Sequence, residues 1–248
     1  MAKVVLVTGG ARGIGAATAK LLAKNGYDVA VNFQSNITAA QKVVHEIKAM
    51  GRRAIGIRGD VAKESDVVRM FEAVDEHMGP LYGLVNNAGI TGRIGRLDDT
   101  SAETLQSTMD INVVGALLCA REAVKRMSTR HEGQGGVIVN VSSVATTLGS
   151  PNTYVWYAAS KAAVDALTLG LGLEVAQEGV RVVGVAAGLT DTDLHAAGGD
   201  PNRARNLASA VPIGRAAQPA DIAEAIVWML SDSAAYCTAT TLRVGGGR

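Results

Sequence analysis

The chain is poor in the residues that build disulfides and metal sites. Its 248 residues include two cysteines, Cys119 and Cys237, which lie far apart in sequence and fit no metal-ligand spacing. So few cysteines are typical of a protein of the reducing cytosol, in which both thiols are small buried side chains. The four histidines, at positions 45, 77, 131 and 195, are scattered and match no metal-binding motif. We therefore expect no metal site.

An excess of charge of one sign and long apolar runs are also missing. Lysine and arginine total 24 against 23 aspartate and glutamate residues, so a net charge of +1 provides no field that favours nucleic acid or an anionic membrane. No apolar run reaches the length that spans a bilayer, and glycine appears too early, at Gly9 and Gly10, for a signal peptide. The composition predicts a cytoplasmic protein with no nucleic-acid or membrane partner.

Short β-branched runs alternate with longer segments of helical periodicity along the whole chain. The strand-like runs are 4–7, 29–33, 54–57, 84–86, 137–141, 180–185 and 241–244, and the helical segments are 14–25, 38–50, 64–78, 102–127, 153–177 and 219–230. This alternation predicts one doubly wound α/β domain over residues 1–248, with a parallel sheet of about seven strands and helices on both faces. The least regular stretch, 191–218, is either a flap over a site or a plain surface excursion.

The first strand leads into a glycine-rich turn, TGGARGIG at 8–15, that opens the first helix. Glycines let the backbone approach a pyrophosphate, and the helix N-terminus supplies N–H groups and positive potential. The turn predicts a dinucleotide site with cofactor contacts at Gly9, Arg12, Gly13, Ile14 and Gly15. The other explanation of such a cluster is a tight turn alone.

The second strand ends in VNFQS at 31–35, without an acidic residue. An acid at this point binds the ribose hydroxyls of NAD, whereas a base and neutral donors accommodate the extra phosphate of NADP. Arg12, Ser35 and Asn32 are the candidates for holding that phosphate, so NADP(H) is favoured and NAD(H) remains possible. After the third strand, Asp60 and the neighbouring Val61 are candidate adenine contacts, and a cap for the next helix is nearly as good an explanation of Asp60.

Two asparagines outside loops are further candidates. In LVNNAG at 84–89, Asn87 is expected to brace neighbouring strands, while Ala88 and Gly89 leave room for the cofactor. Asn112 lies inside a helical segment, where asparagine is a mediocre helix former. Its presence indicates either a polar task, such as opening a backbone carbonyl to water, or a satisfied structural amide.

A phenol and an ammonium share one helix face in YAASK at 157–161. A cation about 5 Å away lowers the pKa of Tyr157 from about 10 by about two units, toward the range useful for proton transfer. The fifth strand delivers Ser142 and Ser143 to the same sheet edge, where a hydroxyl can bind the oxygen that gains or loses a proton. The absence of a Gly-x-Ser-x-Gly elbow argues against a serine hydrolase.

With these motifs in order, the chain closely resembles the classical short-chain dehydrogenases/reductases from Val4 to Gly247. The resemblance implies a catalytic set of Asn112, Ser143, Tyr157 and Lys161, with Ser142 as the weaker alternative to Ser143. It implies that Tyr157 exchanges a proton with the substrate oxygen that Ser143 orients. Lys161 lowers the pKa of the tyrosine and holds the nicotinamide ribose, and Asn112 supports a water chain.

The resemblance also extends to the segment after the sixth strand. There it implies that Gly188, the Leu189 backbone and the Thr192 hydroxyl meet the nicotinamide carboxamide. Ala187 stands where the family usually has proline, so we expect looser cofactor binding. Ala239 stands where the family commonly has glycine. The resemblance further implies a homo-oligomer, commonly a tetramer.

These features favour an NADP(H)-dependent oxidoreductase of a carbonyl compound or secondary alcohol. The alternatives are an NAD-dependent dehydrogenase of sugars or polyols and a non-catalytic dinucleotide sensor. The substrate is expected to be read by the loops 90–99, 144–155 and 194–212. Four arginines in these loops either bind an acidic substrate or are solvated: Arg93, Arg96, Arg203 and Arg205.

Overall fold

All seven strands join one parallel sheet, in the order β3-β2-β1-β4-β5-β6-β7. The computed structural model describes residues 2–248. The strands are β1 (Val4–Val7), β2 (Asp28–Phe33), β3 (Ala54–Arg58), β4 (Leu81–Asn86), β5 (Gly136–Ser143), β6 (Val180–Ala187) and β7 (Thr240–Val244). This confirms the predicted doubly wound α/β architecture.

Ten α-helices connect the strands within residues 2–248. They are α1 (Gly13–Lys24), α2 (Ile37–Ala49), α3 (Glu64–Met78), α4 (Ala102–Met109), α5 (Gly115–Met127), α6 (Ala145–Leu148), α7 (Val155–Glu174), α8 (Asp193–Ala197), α9 (Arg203–Asn206) and α10 (Pro219–Leu230). A π-helical turn, Asp110–Val114, joins α4 to α5. No helix in this described part of the chain is both long and apolar enough to cross a bilayer.

The helices cover both faces of the sheet because the strand side chains alternate between the faces. Val5 and Val7 face the core formed with α1, α2 and α10, whereas Val4 and Leu6 face the core formed with α3, α5 and the end of α7. The strand order reverses between β1 and β4. In open α/β sheets, ligands bind at the carboxyl edge beside such a reversal.

Two expectations need correction. The helical segment 102–127 is not one helix, because the π-helical turn inserts an extra residue between α4 and α5. The expected cover of helices on both faces is incomplete at the edges of the sheet, where β3 and β7 alternate or expose their side chains.

Candidate active site

A cavity of about 330 Å³ opens at the carboxyl ends of the strands, beside the reversal between β1 and β4. Most of the residues that the sequence singled out line it. They are Gly9, Arg12, Gly13, Ile14, Asn32, Ser35, Asp60, Val61, Asn87, Ala88, Gly89, Ser143, Tyr157, Lys161, Gly188, Leu189 and Thr192. Gly15 and Asn112 do not line the cavity and support its wall. Within residues 2–248, no group of three or more His, Cys, Asp or Glu side chains is placed to hold a metal ion.

The glycine-rich turn has the geometry that a phosphate site needs. Gly9 and Gly13 have φ values of 60° and 52°, in the left-handed region that favours glycine. A β-carbon on Gly15 would lie 2.4 Å from the Gly9 carbonyl oxygen, so the turn closes tightly against α1. The side chain of Arg12, which precedes α1, makes no capping hydrogen bond. The first N–H groups of α1 are therefore free to bind an anion.

Thr8 and Asn87 fasten this turn to β4. The Thr8 hydroxyl accepts hydrogen bonds from the backbone N–H groups of Asn87 at 2.9 Å and Ala88 at 3.0 Å. The Asn87 amide donates to the Thr8 carbonyl at 2.8 Å. The amide thus braces β1 against β4, as the sequence predicts. The role of Thr8 was not predicted, although a hydroxyl at the end of a buried strand is a signal for it.

Asn32 does a different task from the one predicted. Its side-chain oxygen accepts the Gly9 N–H at 3.1 Å, and its side-chain nitrogen donates to the Gly59 carbonyl at 3.0 Å. The side chain is only 2% exposed. Because both ends of the amide are used, the predicted contact with a cofactor phosphate is not supported. Asn32 instead ties the glycine turn to the loop after β3.

Exposed cationic and polar groups remain at this end of the cavity. Arg12 and Ser35 are both exposed in the cavity wall. Arg58, which the sequence did not single out, donates from Nε to the Gln34 carbonyl at 3.1 Å, next to Ser35. This end therefore carries positive charge and no acid at the end of β2.

Asp60 does not cap α3, which was one of its two predicted roles. Its carboxylate accepts the Ala62 N–H at 3.1 Å, two residues on, and closes the turn after β3. The helix begins at Glu64, and its residue Asp66 accepts the Asp60 N–H at 3.0 Å. Asp60 is half-buried in the cavity wall, so the adenine contact stays a prediction.

Tyr157 and Lys161 lie together at the other end of the cavity, on the buried face of α7. The two residues are 8% and 5% exposed. The Lys161 ammonium lies 5.9 Å from the centroid of the Tyr157 ring and donates to the Val141 carbonyl at 2.7 Å. The predicted pair is thus brought into one pocket.

The predicted lowering of the tyrosine's pKa is wrong for this structure. Burial raises the pKa of Tyr157 to about 12, while the Ser143 side chain acts in the opposite direction. Burial also lowers the pKa of Lys161 to about 8, against the charge of Asp165. The sequence spacing predicts that the two groups are close, but burial has the largest effect on the pKa of each.

The two candidate serines occupy different environments. Ser142 also lines the cavity but is only 1% exposed, and its hydroxyl donates to the Lys161 carbonyl at 3.4 Å. Ser143 ends β5 in the cavity wall and its oxygen accepts the Ala145 N–H at 3.1 Å. Ser143 is the serine placed beside Tyr157, because its side chain is the one that hydrogen-bonds the phenol. The ring of Tyr154 packs edge-on against that of Tyr157, with centroids 5.2 Å apart.

Asn112 lies in the π-helical turn and its amide is saturated. Its nitrogen donates to the Ile90 carbonyl at 2.8 Å and the Ser160 hydroxyl at 2.9 Å, and its oxygen accepts the Ile90 N–H at 2.9 Å. This arrangement favours the structural-amide alternative. A β-carbon on Gly89 would lie 3.2 Å from the Asn112 oxygen and 3.5 Å from the Lys161 ammonium, so a larger residue there would crowd the Asn112 amide.

The segment after β6 lies over the cavity. The Leu189 carbonyl accepts the Ala217 N–H at 2.8 Å, which ties the two ends of the segment together. Thr192 lies above the glycine turn, with its methyl group 3.4 Å from where a Gly13 β-carbon would be. Leu194 and Arg203 line the cavity. Of the two interpretations of residues 191–218, the structure favours a cover over the site.

A buried polar chain behind the site was missed. The Asn86 amide donates to the Asn140 side-chain oxygen at 3.0 Å, and the Asn140 amide donates to the Thr168 hydroxyl at 2.9 Å. These bonds link β4, β5 and α7, and so fix the helix that carries Tyr157. The signal was an asparagine within each apolar strand, which is costly unless it is hydrogen-bonded.

Comparison with known proteins agrees with this geometry. The family model described as short chain dehydrogenase matches residues 3–202. The chain belongs to this family. It is 50% identical over 245 residues to the uncharacterized oxidoreductase YgfF of Escherichia coli (strain K12), with 99% of each chain covered. The family resemblance is thereby confirmed, and the protein is an oxidoreductase of this family.

Solved structures of similar proteins share the fold of this chain. A 3-ketoacyl-(acyl-carrier-protein) reductase from Brucella melitensis, complexed with NADH, superposes with a TM-score of 0.91 at 32% identity, covering 99% of this chain and 98% of that one. A short chain dehydrogenase from Burkholderia cenocepacia J2315, in complex with NADP, gives 0.89 at 37% identity, covering 99% and 97%. Both similarities extend over the whole fold.

Proposed function

We propose that the protein transfers a hydride between a nicotinamide dinucleotide, preferentially NADP(H), and a carbonyl compound or secondary alcohol. The observation that carries this proposal is the joint position of Ser143, Tyr157 and Lys161 at one end of a cavity that has the free N-terminus of α1 at its other end. A nicotinamide dinucleotide bound between them supplies the hydride for reduction, or accepts it in oxidation.

In the proposed reduction, Tyr157 donates a proton to the substrate oxygen. Its raised pKa keeps the phenol protonated at neutral pH, which suits an acid. The Ser143 hydroxyl orients and polarises that oxygen. The ammonium of Lys161 lies near enough to stabilise the phenolate that the proton transfer leaves. In the reverse direction, the same phenol is the base and must first lose its proton.

The two ends of the cavity offer different groups to the cofactor. The N–H groups of α1 suit the pyrophosphate, and the Leu189 N–H and the Thr192 hydroxyl suit the carboxamide. The exposed Arg12 and Ser35 suit the extra phosphate of NADP. The two solved relatives carry NADH and NADP respectively, so the preference for NADP(H) rests on these residues of the chain itself.

The test is the parallel consumption of NADPH and NADH against a broad panel of aldehydes, ketones and oxo acids. We expect turnover with NADPH that falls by about 10²- to 10⁴-fold in Tyr157→Phe, because general acid catalysis contributes about that much. Tyr154→Phe is the matched control, since that ring lines the same cavity without facing Lys161 in the helical register. Equal turnover by wild type and Tyr157→Phe would exclude the proposed acid.

Cofactor choice is tested by the same assay with Arg12→Ala. An NADPH preference that disappears in this variant supports the assignment of the phosphate site. A preference for NADH in the wild type would instead favour the alternative that the protein is an NAD-dependent dehydrogenase of sugars or polyols. Tight cofactor binding with no Tyr157-dependent turnover on any substrate would favour the dinucleotide sensor.

A further inference from the structure

Arg203 projects from the cover into the substrate end of the cavity. It lies on the short helix α9 and lines the cavity together with Tyr154, Tyr157 and Leu207. Its guanidinium carbon is 5.3 Å from the centroid of the Tyr154 ring, which itself packs edge-on against Tyr157. One aromatic ring therefore separates this cation from the proposed acid.

The Nε–H group of the Arg203 guanidinium has no hydrogen-bond acceptor in the described part of the chain. Among residues 2–248, the Arg203 Nε is one of three buried side-chain nitrogen or oxygen atoms that have no hydrogen-bond partner. A buried donor without an acceptor is unfavourable, and a charged one especially so. Stacking on Tyr154 stabilises the position of the planar group but satisfies none of its N–H groups.

The neighbouring groups do not supply the missing acceptor. His195 lies close by, but its Nε2 is within 2.9 Å of the Thr190 carbonyl, and burial together with the Arg203 charge lowers its pKa. The carboxylates of the cover, at Asp191, Asp193 and Asp200, do not accept from the Arg203 Nε. Arg203 lines the cavity, and no other residue of 2–248 forms a hydrogen bond or ion pair with its guanidinium, so its terminal nitrogens are available to a ligand there.

We propose that Arg203 binds a carboxylate on the substrate, so that the substrate is an oxo acid or hydroxy acid rather than a neutral carbonyl compound or alcohol. The inference rests on the proposed function and assigns the substrate class of the same site. The planar N–H edge of a guanidinium matches the two oxygens of a carboxylate, which a neutral hydroxyl cannot replace. Arg203 and Tyr157 both pack against the Tyr154 ring, so the proposal places only a few carbons between the carboxylate and the reacting carbon.

The test compares each acid with its own methyl ester. Acetoacetate and levulinate are reduced in parallel with their methyl esters, which keep the carbonyl group and lose the charge. We expect wild type to prefer the acids in kcat/KM, and Arg203→Gln to lower kcat/KM for the acids by about 10- to 100-fold while the esters change little. Because the cation binds rather than reacts, the loss should lie mainly in KM.

Arg205→Gln is the matched control. Arg205 lies two residues further along the same helix, carries the same charge and is exposed outside the cavity wall. It should leave the ratio of acid to ester unchanged. A wild-type enzyme that reduces the esters as well as the acids, or an Arg203→Gln variant with an unaltered ratio, would overturn the inference while leaving the proposed reaction intact.

A binding measurement separates this inference from the reaction itself. Isothermal titration calorimetry of levulinate into the protein with saturating NADP⁺ should detect binding. The affinity for levulinate should fall about 10-fold or more in Arg203→Gln and should persist in Tyr157→Phe. If no compound is turned over, this titration still decides whether Arg203 binds a carboxylate. If Arg203→Gln weakens NADP⁺ and NADPH binding instead, Arg203 belongs to the cofactor site and the inference fails.

Discussion

Lys161 shows at the scale of one residue how burial changes an expected charge. Its ammonium is hydrogen-bonded to the Val141 carbonyl, yet burial lowers its pKa from 10.5 to about 8. Between about pH 8 and pH 10.5, Lys161 is protonated in the unfolded chain and has lost its proton in the folded chain. The stability of the fold therefore increases as pH rises through this window, and below it the full cost of the buried cation is present.

We expect Lys161→Met to be more stable than wild type at pH 7 and catalytically inactive. The free energy of unfolding should rise by about 1 to 2 kcal/mol, which is the desolvation cost less the lost hydrogen bond. The difference should shrink as the pH approaches the unfolded-state pKa. Urea unfolding of both proteins at several pH values measures it.

The exposed Lys42 provides the control, because Lys42→Met removes the same charge from the surface. That variant should show no comparable pH-dependent gain. A Lys161→Met protein that is less stable at neutral pH would mean that the hydrogen bond to Val141 outweighs the desolvation of the ammonium.

The sequence predicted which side chains lie close together where spacing along one helix alone decides it. Tyr157 and Lys161 share a helix face because they are four residues apart, whatever surrounds them. The direction of the shift in the pKa of Tyr157 was missed because it depends on burial, and two of the residues packed around the ring, Leu105 and Ala145, are distant in sequence. Asn32 was misassigned for the same reason, since its partners Gly9 and Gly59 belong to other loops.

At the scale of elements, the π-helical turn at 110–114 is the clearest feature that the sequence hid. The apolar spacing continues from α4 into α5, so periodicity predicts one helix. The inserted residue is stabilised by the Asn112 amide, whose partners Ile90 and Ser160 come from the loop after β4 and from α7. Such turns are often found at functional sites.

The turn into β7 provides a prediction about stability. Ala239 has a φ of 52°, in the left-handed region, and its N–H donates to the Val182 carbonyl at 2.8 Å. That conformation costs a non-glycine residue about 1 to 2 kcal/mol, whereas glycine's extra freedom in the unfolded chain costs about 0.4 to 1 kcal/mol. We expect Ala239→Gly to raise the free energy of unfolding by about 0.5 to 1 kcal/mol.

Ala235→Gly is the matched control for this change. Ala235 lies four residues earlier with a φ of −58°, in the right-handed helical region where alanine is unstrained. There the same substitution should lower stability by about 0.5 to 1 kcal/mol. Urea unfolding should give opposite signs for the two variants, and equal signs would show that Ala239 carries no backbone strain.

At the scale of the whole molecule, the order of elements was predictable and their surroundings were not. Alternating strands and helices predict a parallel sheet because parallel strands require crossover connections. The sequence does not say which strands lie at the edges, so the exposure of β3 and β7 was missed. The position of residues 191–218 over the cavity likewise depends on hydrogen bonds to the Leu189 and Gly246 carbonyls rather than on local pattern.

One exposed side of α7 carries no charge until Glu174 at the end of the helix. The residues on it recur at helical spacing and are small or apolar: Ala159, Ala162, Ala166, Leu169, Gly170 and Leu173. Leu169 and Leu173 are 54% and 68% exposed. Small side chains allow two helices to pack closely, and a surface that is complementary to itself favours a two-fold pair of identical chains.

We therefore expect the chain to form a homo-oligomer in which this face of α7 packs against a second copy. Light scattering after size-exclusion chromatography should give wild type a mass that is a multiple of the 25.5 kDa subunit. The double substitution Leu169→Glu and Leu173→Glu should lower that mass, because packing would bury four carboxylates at each two-fold interface. Met50→Glu, at the exposed end of α2, adds a carboxylate elsewhere and should not change it. A wild-type mass of one subunit, or an unaltered mass in the double variant, would exclude this face as the interface.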